Sequence, residues 1–87
     1  MARDDPFDFP CRFPIKAMGA RGDAVAARAL QIVRRHAPEV TPDDLRLRES
    51  RNGRYCSVTI TIDARSRDQL DAIYRELSAD EHILVVL

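Results

Sequence analysis

The sequence predicts a two-layer α+β fold in which two helices cover one face of a four-stranded antiparallel sheet. Three observations lead to this prediction. Alternating apolar and polar residues mark the strands, two segments repeat apolar residues at helical spacing, and the segments follow the order β-α-β-β-α-β. Because each element has an apolar face or stripe to bury, helices and sheet must pack as two layers.

The first and last strands are predicted at residues 11–18 and 82–87. Pro14 has no N–H to donate, so we expect the first strand to be irregular or unpaired there. The last strand is apolar on both faces, with Leu84 and Val86 on one of them. Exposed apolar edges tend to recruit a partner. Leu84 and Val86 are therefore a candidate edge-strand interface for a homodimer. Alternatively, residues 1–10 could fold over this strand and cover it with Phe7 and Phe9.

Two amphipathic helices are predicted at residues 23–37 and 66–78. In the first helix, Asp23 is expected to cap the N-terminus by accepting from backbone N–H groups. The second helix should begin with a capping box, in which Ser66 accepts from the backbone and the Gln69 side chain reaches back to it. Each helix carries a single apolar stripe that can face the sheet.

A tight hairpin is predicted between the second and third strands. Asn52 and Gly53 are the favoured pair for a type I′ turn, in which both central residues have positive φ. A two-residue turn fixes the register and places Leu47 opposite Val58. A slip by one residue would place leucines opposite polar residues. The apolar face of this hairpin then carries Leu45, Leu47, Cys56, Val58, Ile60 and Ile62.

These elements combine into a ferredoxin-like plait with the strand order 4-1-3-2. The helices would cover the apolar face, and the polar face would remain open. We call this polar side the open sheet face. Its candidate binding residues are Lys16, Arg46, Arg48, Tyr55, Ser57 and Thr59. The three basic residues give it a local positive bias that could hold a carboxylate or a phosphate.

The loop between the first strand and the first helix is a second candidate ligand site. It consists of Gly19, Ala20, Arg21, Gly22 and Asp23. Backbone N–H groups at a helix N-terminus attract anions, and Arg21 could close over one. A tight strand-to-helix turn would also require the glycines, with no ligand involved.

The composition limits the classes of function. The 87 residues suffice for one domain, expected at residues 9–87 after a flexible tail at 1–8. Lys plus Arg and Asp plus Glu number 14 each, which argues against a general polyanion binder. The chain has no apolar run of the roughly 20 residues needed to span a bilayer. Residues 1–6 contain no apolar segment of the kind found in secretory signals, so we expect none here. We therefore expect a cytoplasmic protein without membrane contact.

Neither a metal site nor a catalytic centre is expected. The two histidines are isolated, so no metal-ligand spacing exists. Cys11 and Cys56 suit a reducing compartment, and antiparallel pairing of the first and third strands keeps them apart. Arg21 invites comparison with acylphosphatases, which pair a loop arginine with a strand asparagine, but Asn52 is used by the turn. We expect no cofactor.

The stretch RNGRYCSVTITI, residues 51–62, raises an alternative function. A basic residue, a glycine and an aromatic before a strand are also found where RRM domains contact RNA. Tyr55 faces outward, as a base-stacking aromatic does, but Ser57 occupies the next outward position, where a second aromatic is expected. We keep weak single-stranded RNA binding through the open sheet face as the alternative and expect no strong nucleic-acid binding.

Several short stretches between Phe9 and Leu87 match a known protein family in their order and spacing. They are Phe9-Pro10, Lys16-Ala17-Met18-Gly19, Arg35-His36-Ala37-Pro38, Gly53, Tyr55, Ser57-Val58-Thr59-Ile60-Thr61-Ile62 and Val86-Leu87. Together they resemble the YbeD-like family of small bacterial proteins, whose function is unknown. The resemblance implies a fold similar to ACT domains, which commonly bind amino acids or other small regulators at domain interfaces. It implies no catalytic residue.

Residues and resemblance together lead to one functional expectation. We expect a non-catalytic regulatory or adaptor domain that binds a small anionic or amino-acid-like ligand, or a protein partner. The ligand would occupy the Gly19–Asp23 loop or the open sheet face, and the domain would form a homodimer.

Overall fold

The structure, a computed structural model, describes residues 8–21 and 24–87. The elements are β1 (Cys11–Ala20), α1 (Val25–His36), a 3-10 turn (Pro42–Asp44), β2 (Leu45–Glu49), β3 (Tyr55–Ala64), α2 (Arg67–Ala79) and β4 (Val85–Val86). The strands form one antiparallel sheet with the order β2-β3-β1-β4, which is the predicted order read from its other edge. The predicted α+β ferredoxin-like fold is confirmed. Most of the tail predicted at residues 1–8 lies outside the described residues.

β1 pairs with β3 along its whole length, and Pro14 does not interrupt it. Pro14 lies in register opposite Thr61, so the predicted irregularity is wrong. The reason is the direction of its backbone. Lys16 exchanges two backbone hydrogen bonds with Leu87, and the Met18 carbonyl accepts from the Leu84 N–H, so both residues bond on the side away from β3. Pro14 has the same parity. The N–H that proline lacks would therefore point away from β3, and the β1–β3 ladder loses no donor at Pro14.

The hairpin between β2 and β3 has the predicted register but a different turn. Gly53 has a φ of 74°, whereas Asn52 does not have a positive φ, so the turn is not type I′. The Gly53 N–H donates to the Ser50 carbonyl at 3.0 Å, and the Ser50 N–H donates to the Tyr55 carbonyl at 2.9 Å. The Asn52 side-chain oxygen accepts from the Ser50 hydroxyl and the Arg54 N–H. The register is retained because Ser50 and Tyr55 remain paired.

Both helices begin close to their predicted positions, with different caps. α1 begins at Val25, and its N-cap Ala24 makes no side-chain hydrogen bond. The predicted cap Asp23 lies outside the described residues. Ser66 caps α2 as predicted by accepting from the Gln69 N–H at 3.1 Å. The Gln69 side-chain oxygen does not reach back to Ser66 but accepts from the Arg65 N–H at 2.7 Å.

The core lies between the helices and the apolar face of the sheet. It contains Ile15, Ala17, Val25, Ala29, Ile32, Val33, Ala37, Val40, Cys56, Val58, Ile60, Ile62, Ala64, Leu70, Ile73, Leu77 and Ile83. Leu47 shares this face by register but is 57% exposed, contrary to its predicted place in the core. The difference arises because β2 is an edge strand, and the helices cover mainly the central strands.

The last strand is shorter than predicted and is held by few contacts. The Leu84 N–H donates to the Met18 carbonyl and the Leu87 N–H donates to the Lys16 carbonyl, each at 2.8 Å. The Tyr74 hydroxyl on α2 donates to the Leu87 carbonyl at 3.1 Å. β4 is therefore a short edge strand attached to β1 and α2.

Ion pairs connect the two helices along their outer side. The Arg28 guanidinium donates to the Asp80 carboxylate at 2.9 and 2.6 Å. Glu76 on α2 accepts from both Arg35 and His36 at the end of α1. The His36 hydrogen bond is the largest of the effects that lower the pKa of Glu76. None of the described helices is both long and apolar enough to cross a membrane.

Candidate binding site on the open sheet face

Two rows of residues run across the four strands on the open sheet face. The first row contains Leu87, Lys16, Thr59 and Arg46, and the second contains Val85, Met18, Ser57 and Arg48. Side chains alternate between the two faces of a strand, so both rows lie on the side away from the helices. Each row begins with an apolar residue at the β4 edge and ends with an arginine at the β2 edge.

These rows line a depression of about 430 Å³. Its lining consists of Lys16, Ala17, Met18, Arg46, Leu47, Arg48, Ser57, Thr59, Val85 and Leu87. The structure thus brings together five of the six residues that the sequence predicted for the open sheet face. The volume falls within the range of roughly 300–1,000 Å³ that is usual for small-molecule sites.

Tyr55, the sixth predicted residue, lies beside this depression. It lines a neighbouring hollow of about 320 Å³ together with Met18, Arg48 and Ser57, which belong to both. Tyr55 is 43% exposed. The aromatic ring therefore extends the candidate site at the hairpin end of the sheet.

The cations of the depression have no carboxylate partner in the part of the chain that the structure describes. Arg46 donates only to a backbone carbonyl, and neither Lys16 nor Arg48 makes an ion pair with a described residue. The nearest acid by register on this face is Asp63, which is paired with Arg12 at 3.0 Å. An anion entering the depression would thus meet positive charge that the described residues do not neutralise.

The predicted loop site is changed by the length of β1. Gly19 and Ala20 lie in the strand, so the prediction that these two residues belong to a loop is wrong. A Cβ on Gly19 would collide with the His82 carbonyl oxygen and the Val25 side chain. Glycine is therefore required here for close packing of α1 and the segment before β4 against β1.

Arg21 is engaged with the hairpin. Its N–H donates to the Arg54 carbonyl at 2.9 Å, and its guanidinium lies 3.3 Å from the Glu49 carboxylate. The fold does bring Arg21 close to the turn that contains Asn52, but Glu49 already compensates the arginine charge. The other two residues of the predicted loop site, Gly22 and Asp23, lie outside the described residues.

The two residues of the candidate interface at the β4 edge lie in different surroundings. Leu84 is 61% exposed, whereas Val86 lies opposite Ala17 and packs partly against the core. Ile83, predicted to share a face with Val85, is buried in the core. The prediction is wrong for Ile83 because a turn, not a strand, carries it: its N–H donates to a carbonyl three residues earlier.

The predicted site did not include the apolar end of the depression, formed by Met18, Val85 and Leu87. Alternation along the first strand does place Met18 outward beside Lys16. Alternation along the last segment could place Val85 and Leu87 on one face. Only the pairing of β4 with β1 shows that this is the open sheet face.

Metal and disulfide chemistry find little support in the described residues. Across residues 8–21 and 24–87, no group of three or more His, Cys, Asp or Glu side chains could hold a metal ion. Cys11 lies opposite Ala64 and Cys56 opposite Gly19, at nearly opposite ends of the β1–β3 ladder. Both are unpaired thiols, which agrees with the predicted separation.

Comparison with known proteins identifies close relatives over almost the whole chain. A family model described as protein of unknown function (DUF493) matches residues 4–87. A UPF0250 protein of Chromobacterium violaceum is 44% identical over 85 residues, which cover 98% of this chain and 96% of the relative. A UPF0250 protein of Nitrosomonas europaea is 40% identical over 87 residues, covering 100% and 98%. One from Azotobacter vinelandii is 43% identical over 81 residues, covering 92% and 88%.

Proposed function

The chain belongs to the DUF493 family, the YbeD-like proteins that its sequence resembles, and we propose that it is a non-catalytic regulatory or adaptor domain that binds a small anionic ligand on its open sheet face. The family is of unknown function, so the proposal rests on the geometry of this chain. One observation carries it. Lys16, Arg46 and Arg48 line a single depression, and no described carboxylate pairs with them.

The spacing of the cations suits a small anion. Arg46 and Arg48 lie two residues apart on β2, so their Cα atoms are roughly 7 Å apart on the same face. Lys16 lies two strands away, at a distance of about 10 Å. A guanidinium can hold a carboxylate or phosphate through two parallel hydrogen bonds. Ser57 and Thr59 lie between the cations and offer hydroxyl groups to the same ligand.

A binding role is favoured over catalysis by what lines the depression. Ser57 and Thr59 supply the hydroxyl groups, but the described lining residues include no histidine or carboxylate that could activate them. Ligand binding would neutralise the positive charge of the face and change which partner the domain attracts. The proposal includes a cytoplasmic location, which is supported by the unpaired thiols Cys11 and Cys56.

An amide-resolved NMR titration of the labelled protein with a pooled metabolite extract tests this function. We expect shifts at the residues that line the depression, and we expect the double variant Arg46→Gln/Arg48→Gln to lose them. Arg75→Gln is the matched control, because Arg75 is exposed on α2 and distant from the depression. Shifts confined to the helices, or no specific shifts, would contradict the proposal. Shifts near Arg21 would instead support the loop site.

RNA binding remains a second candidate because Tyr55 adjoins the cationic depression. The probe is a short oligouridylate titrated at increasing salt. RNA held through phosphates should lose affinity steeply as salt rises. The variant Tyr55→Ala should weaken RNA binding by about 1–3 kcal/mol if a base stacks on the ring. Affinity that is insensitive to both changes would exclude this mode of binding.

A further inference from the structure

The apolar end of the open sheet face restricts the kind of anion that the depression can take. Val85 on β4 and Leu87 just after it are 43% and 69% exposed, and Met18 on β1 lies opposite Val85. All three line the same depression as Arg46 and Arg48. The surface therefore changes from apolar to cationic across the width of the sheet.

We propose that the open sheet face binds an amphipathic anion, with a carboxylate or phosphate head at Arg46 and Arg48 and an apolar tail over Met18, Val85 and Leu87. This proposal rests on the proposed function and narrows its class of ligand. A small hydrophilic anion would leave the apolar end exposed to water. An apolar tail there would be removed from water at the same time as the head is held.

The dimensions of the sheet set the length of such a ligand. Three strand spacings separate β2 from β4 in the order β2-β3-β1-β4, a distance of about 14 Å. The middle of this path is lined by Ser57 and Thr59 on β3 and by Lys16 on β1. A head at the β2 edge and a tail reaching β4 would thus extend over the whole width of the open sheet face.

A second copy of the chain is a poorer occupant of this face. Pairing two copies through their open faces would enclose Lys16, Arg46 and Arg48 of both copies in one interface. The described residues lining the depression include no carboxylate that could oppose these charges. Like charges placed face to face repel, and the cost rises as water is excluded. A ligand that brings its own negative charge avoids this repulsion.

The test is an amide-resolved NMR titration with straight-chain carboxylates of two, six and ten carbons. Full burial of one methylene corresponds to about fourfold in affinity. Val85 and Leu87 are exposed, so a tail beside them is only partly removed from water. We therefore expect a gain of roughly twofold or more per methylene that reaches the apolar end. Hexan-1-ol and hexylamine, which lack the negative charge, should bind more weakly than hexanoate.

Two variants separate the head from the tail. Leu87→Gln should reduce the affinity for decanoate much more than the affinity for acetate. Arg48→Gln should lower the affinity for all three carboxylates. Leu84→Gln is the matched control, because Leu84 is similarly exposed on the same edge but does not line the depression. The side chains of Leu84 and Leu87 are mostly exposed, so these substitutions leave the core intact.

The outcomes distinguish this inference from the proposed function. Shifts at the depression with equal affinity for all chain lengths would overturn the amphipathic ligand and leave an anion site standing. The same conclusion follows if hexylamine binds as well as hexanoate, or if Leu84→Gln acts as strongly as Leu87→Gln. No shifts at the depression with any carboxylate, or with inorganic phosphate, would overturn both.

Discussion

Asp80 connects both helices with the turn that leads into β4. Its side chain is only 4% exposed and accepts from Arg28 at 2.9 and 2.6 Å and from the His82 N–H at 2.9 Å. Burial by itself would raise the pKa of Asp80. The Arg28 hydrogen bond leads the effects that oppose burial and hold this pKa below its ordinary value. Asp80 is therefore a charged residue whose partners compensate for its lost hydration.

We expect Asp80→Asn to lower the free energy of unfolding by about 2 kcal/mol, the usual loss for a hydrogen bond between charged groups. The amide keeps the shape of the side chain but leaves Arg28 without a charge partner. Urea denaturation measures the change. Asp71→Asn is the control, since Asp71 is exposed on the same helix. An equal decrease in the free energy of unfolding for both variants would show that the contact between Asp80 and Arg28 does not stabilise the fold.

Acid should destabilise the protein through two carboxylates. The pKa of Glu76 lies below its ordinary 4.5, chiefly through the His36 hydrogen bond, and that of Asp80 lies below 3.8, where burial opposes a larger lowering by Arg28 and other partners. A carboxylate whose pKa is lowered by folding stabilises above its unfolded pKa and loses this contribution as the pH falls through its folded pKa. The free energy of unfolding should therefore decrease below about pH 4.5.

Urea denaturation at a series of pH values checks this expectation. The decrease in acid should be shallower in the double variant Glu76→Gln/Asp80→Asn than in the unchanged protein. A curve of the same steepness in both proteins would show that other groups cause the acid sensitivity.

Short sequence patterns predicted side-chain hydrogen bonds between residues close in the chain, but not those between distant residues. Ser66 could be identified as a cap because its partner lies three residues away in the same helix. The second partner of Gln69 is the carbonyl of His36, 33 residues earlier, and no short pattern contains it. The predicted type I′ turn at Asn52 was wrong for a related reason. The Asn52 side-chain oxygen accepts a hydrogen bond from the Ser50 hydroxyl, and this contact favours a longer loop.

At the scale of elements, the end of α1 is capped by the start of α2. The His36 carbonyl accepts from Gln69 Nε2 and from Arg65 Nη2, each at 2.9 Å. Arg65 also lies 3.3 Å from the Glu39 carboxylate just beyond α1. These contacts satisfy a carbonyl that a helix end leaves without an internal partner. The two helices are thus joined at one end through a cap and along their sides through ion pairs.

Gln69→Ala should lower the free energy of unfolding by about 1–2 kcal/mol, because it removes hydrogen bonds to His36 and Arg65. The measurement is urea denaturation monitored by circular dichroism. Gln31→Ala on the exposed side of α1 is the matched control and should change stability little. A negligible effect of Gln69→Ala would mean that water replaces the cap without loss.

Strand positions were predictable from alternation wherever the sheet has one buried face. β3 shows this, with alternate residues buried from Cys56 to Ala64. β4 does not, because its residues are apolar on both sides and a turn buries Ile83. The polar half of the candidate site followed from β1, β2 and β3. Its apolar half depended on where β4 docks, which alternation alone cannot determine.

At the scale of the whole molecule, zero net charge conceals a segregated distribution. Carboxylates on the helix layer, such as Glu76 and Asp80, are paired with arginines. Lys16, Arg46 and Arg48 on the open sheet face lack such partners among the described residues. The balanced composition argues against general polyanion binding but carries no information on local charge. Local charge depends on which residues are neighbours across the strands. The hairpin predicted this register for β2 and β3 but not for β1 and β4.

The edges of the sheet lead to a prediction about assembly. We expect a homodimer formed through the β4 edge, because Leu84 is exposed there and this edge is apolar. Leu84→Asp should then give a monomer in sedimentation equilibrium. Leu47→Asp is the matched control, since Leu47 is similarly exposed on the opposite edge strand. A dimer that survives Leu84→Asp, or a wild-type monomer at every concentration, would contradict this arrangement.

The slender attachment of β4 has a further consequence for recognition. A strand of two residues held by a few backbone bonds and the Tyr74 hydroxyl belongs to the least protected part of a fold and opens before the rest. While it is detached, Val85 and Leu87 are absent from the surface that they help to form. Apparent affinity for any ligand that needs them is the intrinsic affinity scaled by the fraction of molecules with β4 docked. Ligand binding in the depression and docking of β4 against β1 would then be coupled, and a ligand that needs Val85 and Leu87 would increase the fraction of molecules with β4 docked.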